Sequence, residues 1–294
     1  MDLLKSTRRL SVLGHDFKTR SISMASDYTA VTYDVSEQIA TITLNRPERM
    51  NSFSTELLSE WADAIRLATD DDDVRVVIVT GAGRAFCAGA DLKAEAESDD
   101  KILMAEKNAG ERRNSLRYSV HRVAQALQYL DKPYIAALNG AAVGAGMDMA
   151  SMADIRIASD TARFGMSYVN VGLIPGDGGA WLLPRLVGLQ KALELIWSGD
   201  LFDAHAALEM GYVARVVPHD DLMKETLAYA RQLAEGPPIA MQLAKRLVYR
   251  GLDQSFVEGL EQAQAAMAIV QSTTDSREGP AAFRERRKPL FEGK

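Results

Sequence analysis

Short apolar runs alternate with helix-like stretches through the first half of this chain. Residues 30–35 and 38–44 alternate apolar and polar side chains on either side of Ser36-Glu37, a pattern that predicts a β-hairpin. Residues 74–80 are continuously apolar and rich in β-branched side chains, which is typical of a buried parallel strand. Residues 134–138 predict a second buried strand.

Helical periodicity lies between and after these strands. Ser54 is a suitable N-cap for a helix that ends near Thr69. One face of that helix is apolar, formed by Leu57, Leu58, Trp61, Ile65 and Ala68. Residues 98–130 are predicted to be mostly helical with a break near Gly110, and two further strands are predicted at 154–158 and 162–164. Alternating strands and helices predict a mostly parallel sheet that is covered on both faces.

After Pro175 the pattern becomes almost entirely helical. The predicted helices are residues 178–187, 190–197, 204–210, 221–234, 238–250, 256–271 and 277–288, with one strand at 213–217. Three regions follow from these patterns: an N-terminal extension over residues 1–27, an α/β core over 28–220 and a helical region over 221–294. The alternation alone leaves a doubly wound sheet open as the architecture of the core.

The first 23 residues differ in composition from the rest. They are rich in serine and basic residues, with few acidic ones. This is the composition of a transit peptide, and equally that of a segment before a later start at Met24. We expect a disordered extension without a catalytic role. The predicted location is cytoplasmic, or the mitochondrial matrix if residues 1–23 are a transit peptide.

Composition narrows the function classes. The 294 residues suffice for one large domain, and the net charge of −6 argues against non-specific nucleic-acid binding. No apolar run approaches the roughly 18 residues that span a bilayer, so we expect no membrane partner. The single cysteine, Cys87, excludes an internal disulfide and fits a reducing compartment. Without an evident base beside it, Cys87 is better interpreted as a small apolar core residue than as a nucleophile.

A glycine-rich turn follows the second buried strand. The sequence NGAAVGAGMDMASMAD, residues 139–154, leads from that strand through Gly140, Gly144 and Gly146 into a helix predicted to begin at Met147. The first amides of a helix have no partner within it, and glycine allows another group to approach them. Two such amides directed at one point would stabilise an oxyanion, with Asp148 nearby. The alternative is a tight turn that only packs.

Three motifs together carry a resemblance to a known family. GRAFCAGADL at residues 83–92, NGAAVGAG at 139–146 and GLIPGDGGAWLLPR at 172–185 resemble the crotonase (enoyl-CoA hydratase/isomerase) superfamily, with NRPERMNSF before them and AFRERRKPLF after them. The resemblance extends from about Tyr28 to the C-terminus. It implies a crotonase-like spiral of ββα repeats with a C-terminal helical region that packs trimers.

The resemblance also implies a substrate and a way of holding it. Two backbone amides of this family bind the carbonyl oxygen of a coenzyme A thioester, and the matching residues are Ala90 and Ala145. Such donors stabilise an enolate, and losing one costs roughly 3–4 kcal/mol. Coenzyme A is then part of the substrate, and neither a cofactor nor a metal is implied. The other substrate-binding candidates are Ala88, Gly89, Asp91, Lys93, Gly144, Asn170 and a neighbouring subunit's Arg286, with Arg49 as a weaker one.

The acid–base groups depart from the family pattern. Hydratases of this family hold one water molecule with two glutamates, which correspond here to Asp148 and Tyr168. A tyrosine is a poor base at neutral pH but a good hydrogen-bond donor. Asp177 and His121 lie near positions where some relatives carry an aspartate or a histidine base. Each of these residues also has a purely structural interpretation. Asp148 could complement the helix dipole, and Asp177 could be the N-cap of the next helix. Tyr168 could line the pocket, and His121 could be a packed residue of its helix.

Four functions therefore remain open. An enoyl-CoA hydratase with Asp148 as the proton-transfer group is the default expectation. Tyr168 shifts weight toward an enoyl-CoA isomerase, and the GLIPGDGGAWLLPR motif and the RKPLF ending resemble ring-opening enoyl isomerases of aromatic degradation. A hydrolase would use His121 or Asp177, and a non-catalytic or RNA-binding homologue is disfavoured by the acidic composition. We further expect a homotrimer or a dimer of trimers, because the apolar C-terminal helices would otherwise be exposed.

Overall fold

Strands and short connections dominate the first part of the computed structural model, which describes residues 28–91 and 109–294. Its strands are, in chain order, β1 (Val31–Ser36), β2 (Ile39–Leu44), β3 (Val76–Gly81), β4 (Ala85–Cys87), β5 (Tyr134–Leu138), β6 (Ala141–Val143), β7 (Ile155–Ser159), β8 (Arg163–Gly165), β9 (Phe202–Asp203) and β10 (Arg215–Val217). Its helices are α1 (Thr55–Asp70), α2 (Ala109–Tyr118), α3 (His121–Leu127), α4 (Ala145–Ser151), α5 (Gly179–Val187), α6 (Leu189–Ser198), α7 (Ala204–Glu209), α8 (Leu222–Ala234), α9 (Pro238–Gly251), α10 (Phe256–Ser272) and α11 (Asp275–Glu285).

The strands form two sheets. The larger has the order β1-β2-β3-β5-β7-β10 and the smaller the order β4-β6-β8-β9. Only β1 with β2 and β8 with β9 pair antiparallel; the remaining neighbours are parallel. Three consecutive strand pairs place their first strand in the larger sheet and their second in the smaller one. This repetition produces the predicted spiral.

The larger sheet is covered on both faces. Every residue of β3 is buried, and alternate side chains point to opposite faces. Val77 and Val79 belong to the core cluster that includes Trp61 of α1. Val76 and Ile78 belong to a second cluster with Leu222 and Ala230 of α8. The predicted mixed α/β class, with a covered parallel sheet and a helical C-terminal third, is confirmed.

Local sequence signals account for the well-predicted elements. The β1–β2 turn uses Glu37 and Gln38 at φ values of 52° and 64°, the left-handed geometry that matches the twist of a hairpin. Helix α1 begins where predicted, because Ser54 accepts a hydrogen bond from the amide of Leu57 at 3.0 Å. Strand β5 has the predicted bounds. No helix in residues 28–91 and 109–294 combines the length and apolar character needed to cross a membrane.

Other predictions need correction. The described part of the predicted helical segment is interrupted at residues 119–120, between α2 and α3, which was not predicted. The predicted break near Gly110 stays a prediction, because residues 92–108 lie outside the described part of the chain. The glycine-rich turn contains strand β6, so α4 begins at Ala145 rather than at Met147. Strands β4, β6 and β9 are only two or three residues long, too short for a periodicity to reveal them. The predicted N-terminal extension lies outside the described residues.

Candidate active site

Two glycine-dependent loops meet at the edge of the smaller sheet. Strand β4 leads into residues 88–91, and its parallel neighbour β6 leads into α4. A Cβ atom at Gly89, which has a φ of 79°, would lie 2.8 Å from the carbonyl oxygen of Val143 and 3.0 Å from the amide nitrogen of Ala145. A Cβ atom at Gly146 would lie 2.0 Å from the carbonyl oxygen of Cys87. Glycine at both positions is therefore required for this contact.

The contact brings together the loops that carry the two predicted amide donors. Ala145 is the first residue of α4, and Gly144 before it is an N-cap without a side-chain hydrogen bond. The amide of Ala145 therefore has no acceptor within the helix. Ala90 follows Gly89 directly, and this loop is held by the amide of Phe53, which donates to the Gly89 carbonyl at 2.7 Å. Asn51 holds the strand before this loop, because its Nδ2 donates to the carbonyl of Ala85 in β4 at 2.8 Å.

Three polar side chains form a buried cluster beyond these loops. Asp148, in the first turn of α4, has no solvent exposure, and Asp177 and Tyr168 are only 5% and 7% exposed. The Tyr168 hydroxyl donates to Oδ2 of Asp148 at 2.7 Å and lies 3.2 Å from Oδ2 of Asp177. A phenol has one proton, so it can donate to only one carboxylate at a time. Tyr168 thus lies between two carboxyl groups.

Helix α5 closes the cluster from the other side. Its N-cap is Gly178, at a φ of 107°, so Asp177 precedes the cap and is not the N-cap that the sequence allowed. A Cβ atom on Gly179 would lie 1.9 Å from Oδ1 of Asp148, so only glycine fits there. The Asp148 carboxyl consequently packs against the N-terminus of α5, where a negative charge is stabilised.

This environment changes the acidity of all three groups. Burial raises the pKa of the Asp148 carboxyl to about 7. The hydrogen bond from Tyr168 lowers this pKa, whereas the negative charge of Asp177 raises it further. The nearby amides of Gly179 and Asp177 also lower it, although neither has the geometry of a full hydrogen bond to Oδ1. Burial also raises the pKa of Asp177, and burial together with the two carboxylates raises the pKa of Tyr168. A carboxyl with a pKa near 7 can accept and return a proton at neutral pH.

His121 lies at the outer end of the cluster. It is the first residue of α3, and its side chain is 37% exposed. Its Nε2 atom lies 3.0 Å from the carbonyl oxygen of Gly176 and 3.9 Å from Oδ1 of Asp177. A carbonyl oxygen only accepts hydrogen bonds, so Nε2 carries a proton and donates to it. The charge of His121, when the ring is protonated, lowers the pKa of the Asp177 carboxyl.

The other predicted site residues are not part of the carboxyl cluster. Asn170 is exposed, and its Nδ2 donates to the Gly199 carbonyl at 3.1 Å, away from the carboxyl cluster. Asp91 forms an ion pair with Arg49 at 3.8 Å. Arg286 is exposed at the end of α11, and Lys93 lies outside the described residues.

Cys87 has the features of a core residue. It is fully buried, and its thiol donates to the Asn51 carbonyl at 3.0 Å. Burial raises the pKa of the thiol to about 12, so it is not ionised at neutral pH. These features support the interpretation as a small apolar core residue.

Two features beside the carboxyl cluster were not predicted from the sequence. One is Gly179, whose only signal was the repeated glycine of the GDGG motif. The other is the loop between Tyr168 and Asp177, where Val169, Val171 and Ile174 are 36%, 43% and 79% exposed. Apolar side chains exposed beside a polar cluster are typical of a ligand contact.

Comparisons with known proteins agree with this fold. A family model described as enoyl-CoA hydratase/isomerase matches residues 34–294. The 1,2-epoxyphenylacetyl-CoA isomerase of Escherichia coli K12 is 35% identical over 88% of this chain and 97% of that protein. The 2,3-dehydroadipyl-CoA hydratase of the same organism is 33% identical over 88% and 96%. The solved structure of enoyl-CoA hydratase from Bacillus anthracis superposes with a TM-score of 0.83 at 35% identity, covering 90% of this chain and 100% of that one. The crotonase-like fold is thereby confirmed.

Replacing Asp148 by asparagine should make the protein more stable at alkaline pH. The folded-state pKa is about 7 and the ordinary value is 3.8, so ionisation above the ordinary value disfavours the folded state. The advantage of Asp148→Asn should therefore grow from pH 4 to pH 8, reaching roughly 4 kcal/mol at 1.36 kcal/mol per pKa unit. Urea unfolding at several pH values measures it.

Asp203→Asn is the matched control. Asp203 is exposed, and a hydrogen bond from the Ala206 amide lowers its pKa. Its stabilising contribution is therefore fully present at any pH above the pKa of the unfolded chain and is lost only in acid. The difference between Asp203→Asn and the wild type should be constant from pH 5 to pH 8. A constant difference for Asp148→Asn as well would contradict the predicted effect of burial.

Proposed function

Since this chain belongs to the enoyl-CoA hydratase/isomerase family, whose members act on CoA thioesters, we propose that it catalyses the double-bond shift of an enoyl-CoA through an enolate. Asp148 removes a proton from C2 of a 3-enoyl-CoA and a proton is then added at C4. The amides of Ala90 and Ala145 stabilise the negative charge on the thioester oxygen while the enolate exists. No water is consumed and no atom is added.

One observation carries the choice of isomerisation over hydration. The Tyr168 hydroxyl lies within hydrogen-bonding distance of both buried carboxyl groups, at 2.7 Å and 3.2 Å. A hydratase that works with two carboxylates holds its water molecule in the space that they share. Here a covalently fixed hydroxyl fills that position. Isomerisation needs a base and a returning acid, and Asp148 supplies both with a pKa of about 7.

Hydration is the second candidate, because Asp177 supplies a second buried carboxyl group at the same hydroxyl. A 33%-identical relative is also named as a hydratase. The arrangement supports a His121-dependent hydrolase less well, since Nε2 of His121 already donates to the Gly176 carbonyl. Coenzyme A would bind along residues 88–91, with its phosphates near Lys93 and a neighbouring subunit's Arg286.

We also propose that the working form is a homotrimer or a dimer of trimers. Helices α9 and α10 and the turn between them leave Leu252, Phe256, Val257 and Leu260 between 48% and 81% exposed. Apolar side chains clustered in this way are typical of a subunit interface. Light scattering of the purified protein should give three or six times the chain mass of 32.1 kDa, and a monomeric mass would contradict the proposal.

Two substrates distinguish the candidate reactions. An isomerase converts a 3-enoyl-CoA into the conjugated 2-enoyl-CoA with a gain of absorbance, whereas a hydratase consumes crotonyl-CoA with a loss of it. We expect the wild type to isomerise the 3-enoyl-CoA faster than it hydrates crotonyl-CoA. Asp148→Asn should lower kcat about 10²- to 10⁴-fold with little change in KM, because a positioned acid–base group contributes that much. The wild-type kcat/KM should rise with pH with a midpoint near 7, as Asp148 ionises.

Rapid crotonyl-CoA hydration without isomerisation would instead favour the hydratase. Full activity of Asp148→Asn in both assays would remove Asp148 from either mechanism.

Proline at position 145 tests the amide donor, which no side-chain deletion can reach. Ala145 is the first residue of α4, a position where proline is tolerated because its missing amide proton has no helical acceptor. Ala145→Pro should therefore keep the fold and lower kcat about 10²- to 10³-fold.

Leu189→Pro is the matched control. Leu189 is exposed and begins α6 after a glycine N-cap, as Ala145 begins α4 after Gly144. Its kcat should stay at the wild-type value, and circular dichroism should show both variants folded. Wild-type kcat in a folded Ala145→Pro would show that this amide does not bind the oxyanion.

A further inference from the structure

A left-handed turn lies beside the loop that carries Ala90. Met50 and Asn51 are consecutive residues in the left-handed region, each with a φ of 54°. This conformation is unfavourable for a residue other than glycine and persists only where the surrounding contacts determine it. Asn51 also has no solvent exposure. The turn is therefore held in this shape by buried contacts.

The side chain of Asn51 makes several of those contacts. Its Oδ1 accepts from the Arg46 amide at 2.8 Å, and its Nδ2 donates to the carbonyl oxygens of Ala82 at 3.0 Å and Ala85 at 2.8 Å. Both protons of the carboxamide and its oxygen are thus engaged. A Cβ atom on Gly81 would lie 2.8 Å from Nδ2, so the carboxamide fits because residue 81 is glycine. Asn51 thereby joins the turn to the connection between β3 and β4.

The main chain of the same turn holds the end of β4. The Ala88 amide donates to the Met50 carbonyl at 3.0 Å, and the Cys87 thiol donates to the Asn51 carbonyl at 3.0 Å. Successive carbonyl groups of an extended chain point to opposite sides, so this pair of contacts to neighbouring residues depends on the left-handed turn. The conformation of Asn51 thus determines where β4 ends and the next loop begins.

Phe53 sets the direction of the Ala90 amide. The two residues form an isolated parallel bridge, and the Phe53 amide donates to the Gly89 carbonyl at 2.7 Å. In a parallel pair of this kind, one residue bonds to the residues before and after its partner, so the N–H group of the partner points away from it. The Ala90 amide is therefore directed away from Phe53 and is not used by this pairing.

We propose that Asn51 is a positioning residue for the oxyanion site, whose side chain fixes the turn that directs the Ala90 amide at the thioester oxygen. Asn51 is buried and acts only through residues 87–90. The inference rests on the proposed enolate chemistry and adds to it a side chain on which a main-chain donor depends. A misplacement of about 1 Å at such a donor can lower the rate by about 10²-fold.

Two substitutions remove the side-chain contacts of Asn51 in different ways. Asn51→Gly keeps a residue that accepts the left-handed conformation, but it loses all three side-chain hydrogen bonds. Asn51→Asp keeps the size of the side chain and an acceptor for the Arg46 amide. It replaces the donor group with an oxygen that faces the carbonyl groups of Ala82 and Ala85. Neither substitution changes a group that contacts the substrate.

The stretching frequency of the bound thioester carbonyl reports on the oxyanion donors, because hydrogen bonds to the oxygen lower it. Butyryl-CoA labelled with carbon-13 at C1 is a suitable probe, since it has no double bond to move. In infrared difference spectra, the wild type should lower the frequency below that of free butyryl-CoA. Asn51→Gly and Asn51→Asp should each lose a large part of this downshift. Each should also lower kcat about 10- to 100-fold with little change in KM.

A double variant tests whether Asn51 acts on one of the two donors. Ala145→Pro removes the other donor, so it should leave a downshift that depends on Ala90 alone. Adding Asn51→Gly to Ala145→Pro should then abolish the remaining downshift. A remaining downshift that Asn51→Gly does not change would contradict the assignment of Asn51 to the Ala90 amide.

Ser54→Ala is the matched control. Ser54 is buried three residues after Asn51, and its hydroxyl accepts from the Leu57 amide of α1 at 3.0 Å. Losing this N-cap should lower the urea midpoint of unfolding, because the cap stabilises α1. The carbonyl frequency and kcat should match those of the wild type.

A wild-type carbonyl frequency in a folded Asn51→Gly would overturn the inference, as would equal losses in Ser54→Ala. If Asn51→Gly does not fold by circular dichroism, Asn51→Asp decides the question in the same way. If the wild type does not move the double bond of a 3-enoyl-CoA, the proposed isomerisation fails, and the carbonyl frequency alone tests Asn51. If the wild type does not bind butyryl-CoA or leaves its frequency unshifted, the oxyanion site and the role of Asn51 both fail.

Discussion

Complete burial of the Asp148 carboxyl is the condition on which the other parts of the site depend. Removing a carboxylate from water is unfavourable unless other groups replace its hydration, and among the described residues no cation contributes to its pKa shift. The hydroxyl of Tyr168 and the N-terminus of α5 replace the lost hydration. Their support is incomplete, so the carboxyl remains a weak acid whose proton is readily exchanged near neutral pH. Stronger support would stabilise the fold and weaken the base.

The two proposed oxyanion donors, the amides of Ala90 and Ala145, depend on a different constraint, the contact between two loops. Parallel pairing of β4 with β6 fixes where the loops leave the smaller sheet, and Gly89 and Gly146 allow them to touch. Because the donors belong to the main chain, their positions follow from backbone geometry rather than from side-chain rotamers. The positions of the two amides are therefore not set by the side chains of Ala90 and Ala145.

Much of the fold could be predicted from local pattern, whereas much of the site could not. Strand β5 and the cap of α1 were predicted because a buried apolar run and an N-cap serine are local signals. Strands β4, β6 and β9 were missed because two or three residues carry no periodicity. Asp177 was ambiguous because cap and catalytic residues look alike in sequence, and the structure excludes only the cap, since Gly178 is the N-cap of α5. The meeting of Tyr168 with two carboxyl groups is a tertiary contact that no spacing reveals.

The loop from Tyr168 to Asp177 joins two residues of the acid–base cluster and exposes Val169, Val171 and Ile174 between them. Its ends are restrained by hydrogen bonds in the interior, while its middle lies at the surface. Substitutions in the middle can change the shape and size of the neighbouring surface without moving the proton-transfer groups. Under the proposed function, the groups that transfer protons and the apolar surface that would contact an acyl group belong to separate residues, so that surface could change in evolution while the reaction stayed the same.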